Sequence, residues 1–117
     1  HRPHLARQPA AAQRRMSSQT LPAKDPAERV IVDFDFSLDL DTAEYITGTP
    51  AVGVTLVAGT DPSPAAILLG TPTVVAGVAR QVIIGGVSGA TYRLRCVATL
   101  DSGRILVLAA NLPVRTA

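Results

Sequence analysis

GGVSGATYRLRCVATLDSGRILVLAA, residues Gly85 to Ala110, has the pattern of a β-hairpin with one face in a core. Tyr92, Leu94, Cys96 and Ala98 alternate with Arg93, Arg95, Val97 and Thr99, the period of two expected when successive side chains point to opposite faces of a sheet. Leu100-Asp101-Ser102-Gly103 follows with turn chemistry: Asp and Ser side chains can bond nearby backbone, and Gly103 tolerates positive φ. Arg104 to Ala110 returns as a second, almost wholly apolar strand. Ahead of the pair, Ser88-Gly89-Ala90-Thr91-Tyr92 suits a corner whose tyrosine hydroxyl bonds back to the chain, as in immunoglobulin-type domains.

Working outward, the same reading extends upstream. Val30, Val32, Phe34, Phe36, Leu38 and Leu40 fall on one face of a long strand, with a bend near Ser37. Ile31, Asp33, Asp35, Ser37, Asp39 and Asp41 fall on the other. Alternate strand residues stand about 7 Å apart, too far for this acidic row to share one ion without a loop, so it reads as a solvated face or one that meets a basic partner. Glu44–Thr47 forms a short strand before Gly48-Thr49-Pro50, and Val52–Ala58 forms another. Ala65–Leu69, Thr73–Ala76 and Arg80–Ile84 follow as three more, separated by Gly and Pro turns, with a short helix as the alternative at Ala65–Leu69. Short β-branched runs with turn signals about every 8–12 residues predict an all-β immunoglobulin-like sandwich over residues 24–117. Residues 1–23 precede it as a basic, extended arm with no hydrophobic period. Met16 is a candidate start, which places His1–Arg15 upstream of it. The arm either docks on a neighbouring subunit or trails as a loose tail.

Composition narrows the function. With no Trp, two Phe and two Tyr, the core must be built from Val, Leu, Ile and Ala. The formal charge of +2 is unevenly placed: four arginines and no acid lie in the first fifteen residues. From Met16 onward, Lys24 and six Arg face nine Asp and Glu, a net of −2, without the basic stripe of a nucleic-acid-binding domain. Between Thr42 and Tyr92 the charged residues are Glu44, Asp61 and Arg80. A free domain usually interleaves charge over its surface, so this stretch predicts permanent contact with other subunits. The alternative is a surface merely neutral under Thr and Gly. The uncharged runs are broken by Gly and Pro, which excludes a membrane-spanning helix.

Catalytic chemistry finds no footing. The two histidines, His1 and His4, lie in the arm, and Cys96 points inward as a small core residue. Gly85-Gly86-Val87-Ser88-Gly89 lacks the Lys-Ser/Thr ending and following helix of a phosphate loop, and its glycines suit a tight corner instead. No catalytic, cofactor-binding or metal-ligating residue is assigned.

Four features in order carry a resemblance: Lys24-Asp25-Pro26, the Val32-Asp33-Phe34-Asp35-Phe36 strand, Gly85-Gly86 with Gly89-Ala90-Thr91-Tyr92, and Thr99 with Ser102-Gly103-Arg104. Together, over roughly Lys24 to Val114, they resemble the small immunoglobulin-like fibre–tail adaptor proteins of tailed bacteriophages. Phe36 stands where that family often has Trp. The resemblance implies a non-enzymatic virion protein of the tail or neck, without cofactor, present in several copies and assembled in the host cytoplasm. Its implied partners are the tail adaptor or connector and the tail fibre, with no direct nucleic-acid or membrane binding. A capsid decoration or head-stabilising protein is the alternative. A carbohydrate-binding domain would expose aromatic side chains for stacking, whereas Phe34 and Phe36 are expected to point inward.

Overall fold

A computed structural model describes residues 19–117. Most of the expected arm, with His1 and His4, lies outside the described residues. Strand β1 is Gln19–Thr20, β2 Val30–Asp35, β3 Ile46–Ala58, β4 Leu68–Val75, β5 Val78–Ile83, β6 Thr91–Leu100 and β7 Ile105–Pro113. Two 3-10 turns interrupt them at Ser37–Asp39 and Pro64–Ile67, and no α-helix occurs among the described residues.

The alternation of β6 carries directly into the core. Tyr92, Leu94, Cys96, Ala98 and Leu100 are all buried, while Arg95 and Thr99 face solvent. β6 pairs antiparallel with β7 on one side and β3 on the other, and β1 adds a short parallel pairing to β7 at Ala110 and Asn111. The second sheet has the order β2-β5-β4, with both pairings antiparallel. Val32, Phe34, Ala79 and Ile83 from that sheet close on the buried row of β6 to make one core. Each large apolar side chain so buried contributes about 1.5–3 kcal/mol. The protein is an all-β sandwich of two sheets, as expected.

Several local expectations are corrected. The long first strand ends at Asp35, because the Asp35 carboxylate accepts from both the Ser37 amide and hydroxyl and bends the chain into a 3-10 turn. The turn breaks the period of two, so Leu38 is 76% exposed and Asp39 is buried, the reverse of their expected faces. Glu44–Thr47 and Val52–Ala58 are not two strands: β3 runs unbroken from Ile46, and Gly48-Thr49-Pro50 is absorbed as a register shift between Thr47 and Ala51. Finally, Ala65–Ile67 is a 3-10 turn, started by Pro64 and preceded by Asp61, whose carboxylate accepts from Ser63 N–H. The strand expected at Thr73–Ala76 begins earlier, at Leu68, with a second register shift between Leu69 and Thr73.

That second irregularity explains a buried polar side chain the sequence reading passed over. Gln81, on β5, keeps 1% exposure and sends its amide nitrogen to the carbonyls of Leu69, Gly70 and Val82. Burying an amide is tolerable only with such partners. Gln81 therefore holds β4 in place where its ladder lapses.

Candidate interaction surfaces

The corner before β6 is held by several contacts at once. Gly85, Gly86 and Gly89 all have positive φ, and a Cβ on Gly86 would meet Val114 Cγ2 at 2.9 Å. The Tyr92 hydroxyl accepts from Val87 N–H at 2.9 Å, the backward bond expected, and donates to Asp61 Oδ2 at 2.6 Å. Burial, then the Asp61 carboxylate, raises the Tyr92 pKa, and the Tyr92 hydroxyl is the main cause of Asp61 lying below its usual value. Lys24 reaches the same corner. It is 2% exposed and donates from Nζ to Gly85 O at 2.6 Å and Asp25 O at 2.9 Å. Burial lowers its pKa against the opposing pull of Glu28 and Asp25. The C-terminal residues complete the knot: Val114 exchanges backbone bonds with Gly89 and Ala90, and Arg115 N–H donates to Lys24 O.

The opposite end is tied by ionic contacts. Arg104 forks onto Glu44, Nη2 to Oε1 at 2.6 Å and Nε to Oε2 at 3.0 Å, and also donates to Asp39 O. Ser102 Oγ and Asp41 N–H donate to the same carboxylate, and Tyr45 and Asp101 bond reciprocally beside it. Arg104, then Ser102, hold the Glu44 pKa down to about 2. The β6–β7 turn is thereby fastened to the chain leading into β3.

All three charges of the long charge-poor stretch are used within the molecule: Glu44 by Arg104, Asp61 by Tyr92, and Arg80 by Asp33 at 3.0 Å. What remains outward on β3 and β4 is uncharged, and each of these strands lies at one edge of its sheet. On the β3-β6-β7 sheet the register places Ala51, Val97 and Val107 in one outward row, then Gly53, Arg95 and Ala109, then Thr55, Arg93 and Asn111. A shallow groove of about 400 Å³ crosses these rows over β3 and β6. On the other sheet the outward rows are Ile31, Val82 and Leu69, then Asp33, Arg80 and Thr73, then Asp35, Val78 and Val75. The final strand is not a bare edge along its length, since β1 covers it at Ala110 and Asn111.

Cys96 is buried, and desolvation pushes its thiol up to about 12. No cluster of three or more metal-ligating side chains occurs among the described residues. Asp33 and Asp35 stay on an open strand face, and Asp39 leaves the acidic row for the interior. Phe34 and Phe36 point inward as expected. Among the described residues no helix is long and apolar enough to cross a membrane.

These surfaces belong to a sandwich whose conspicuous features are outward faces and clamped ends. A family model, Podophage GP4 fiber-tail adaptor protein gp77, matches residues 24–113. The chain belongs to that adaptor family. The match runs from the buried Lys24 to the end of β7, so it takes in the Glu44–Arg104 pair, the glycine corner and every strand of the adaptor fold from β2 to β7. No curated protein and no solved structure matches the chain.

Proposed function

We propose that this protein is a non-enzymatic structural component of a phage virion, set at the tail or neck, where it joins fibre to tail proteins. The observation that carries the reading is the family match over nearly the whole sandwich. The charge-poor outer strands supply the physical means, since such surfaces are stable when covered by neighbouring subunits. The strand orders β2-β5-β4 and β3-β6-β7 follow the B-E-D and C-F-G arrangement of immunoglobulin domains, and the tyrosine corner supports the same wiring. The folded unit is residues 24–117, with residues 1–23 as an arm of which Gln19 and Thr20 lie along β7. Several copies surround the tail, without cofactor or direct nucleic-acid contact.

Mass spectrometry and imaging of purified particles test this. The chain should be found at the tail in a copy number matching a tail ring. A copy number matching the far more numerous shell subunits would replace the adaptor with a capsid decoration protein, and absence from particles would remove the virion role.

A further inference from the structure

β7 pairs with β6 along one edge and turns its other edge toward the arm. Leu21 N–H donates to Asn111 O and Lys24 N–H donates to Pro113 O, so the carbonyls of those two residues point away from β6. The β6–β7 register runs without a shift from Thr91↔Pro113 to Thr99↔Ile105. The period of two therefore turns the N–H and C=O of Ala109, Val107 and Ile105 the same way. Among the described residues, β1 follows that edge back only as far as Ala110. Open edges are ordinarily blunted by charge, proline or a bulge. Residues 105–109 have none of these: they read Ile, Leu, Val, Leu and Ala in an unbroken ladder. Room lies beside them, in a cleft of about 220 Å³ that starts at Gln19 and runs between Leu108 to Ala110 of β7 and Asp33 to Asp35 of β2.

The sequence just before β1 suits this edge. β1 lies parallel to β7 with Gln19 opposite Ala110, and its two residues fall short of the usual strand of about 3–10. Carried backward, the same register sets residues 14–18 against residues 105–109 one for one. From Ala10 to Thr20 there is no proline, so every amide a ladder needs is present. A segment tethered in register also meets the edge at a high effective concentration, an advantage that a strand from another molecule lacks.

We propose that residues 14–18 add to β7 as a backward extension of β1, with Met16 beside Val107. Odd-numbered arm residues then turn their backbone to β7: Ser17 N–H donates to Val107 O, and Val107 N–H donates to Arg15 O. The extension carries the chain about 16 Å along the sheet. Residues 1–13, with Arg2 and Arg7, leave the domain beside Arg104 and the β6–β7 turn, at the end opposite Lys24. The contact lies within one chain and does not depend on the adaptor reading.

Cross-linking of the purified full chain in dilute solution tests the register. Met16→Cys combined with Val107→Cys should oxidise to a disulfide within one chain, because paired strand positions lie within disulfide reach. Arg15→Cys combined with Val107→Cys should not, since those two side chains fall on opposite faces. Cys96 is buried and takes no part. Absence of the first disulfide, or equal yields from both pairs, overturns the proposal, and disulfides formed between chains overturn it in favour of a neighbouring copy. Amide exchange gives a second readout. Ser17→Pro removes the donor to Val107 and should speed exchange at the Val107 and Ile105 amides about tenfold. Ser18→Pro, whose N–H faces away from β7 in this register, should leave those amides near wild type. Equal exchange in wild type and Ser17→Pro overturns the ladder, as does an equal effect of the two prolines.

Discussion

Tyr92→Phe deletes a single oxygen and should cost about 2 kcal/mol of stability. The ring of Tyr92 is fully buried at 0% exposure, so the variant keeps the same apolar burial. What it loses is a hydroxyl that accepts from Val87 N–H at 2.9 Å and donates to Asp61 Oδ2 at 2.6 Å. Losing a buried group used in both directions costs about 1–3 kcal/mol in mutational series. Val87 is 42% exposed, so water can serve its amide in part, which keeps the cost from the top of that range. With a urea slope of about 1–2 kcal/mol per molar, the unfolding midpoint should fall by roughly 1–2 M. Tyr45→Phe is the control, because Tyr45 is 61% exposed, and it should change stability by no more than about 0.5 kcal/mol. The difference between Tyr92→Phe and wild type should also narrow in acid. Asp61 is held below its ordinary value of 3.8, so the stability from its carboxylate is present above that value and is lost as pH falls through the depressed one. Equal midpoints for the two phenylalanine variants would refute the corner's role.

The remaining expectations concern the clamps and the core. Glu44 has its pKa lowered from 4.5 to about 2, so its contribution is complete above about pH 4.5 and disappears as pH falls toward 2. Thermal melts between those limits should decline for the wild type and be flatter for Glu44→Gln; parallel curves would count against the Arg104 fork. Gly86→Ala combines φ +98 with a 2.9 Å approach to Val114 and should cost about 1–3 kcal/mol in urea unfolding, whereas Gly53→Ala should stay within about 0.5 kcal/mol. The Cys96 thiol should resist a thiol-modifying reagent at pH 8 until the chain unfolds; prompt labelling of the native protein would contradict its burial.

Much of the candidate surface was legible before any coordinates. The missing charges between Thr42 and Tyr92 marked a surface poor in charge, and the ordered run from Lys24-Asp25-Pro26 to Ser102-Gly103-Arg104 marked the family. Leu38 was misplaced because periodicity is blind to one capping bond: the Asp35 carboxylate on Ser37 changes the parity of everything after it. Lys24 and Gln81 were passed over as burial sites because each is buried only for the sake of backbone carbonyls in distant segments, Gly85 in one case and Leu69 and Gly70 in the other. Family position was the one signal that set Lys24 apart.

Local pattern was enough to determine the two-faced strands, the tyrosine corner and the apolar interior, since side-chain alternation and glycine conformations are properties of neighbouring residues. Tertiary structure alone decided which strand lies beside which, that β3 and β4 each lie at a sheet edge, and that the basic residues of β6 and the acidic turn after β2 face away on different sheets. Those facts depend on hydrogen-bond partners up to dozens of residues apart, and a run of sequence carries no record of a partner it has not yet met.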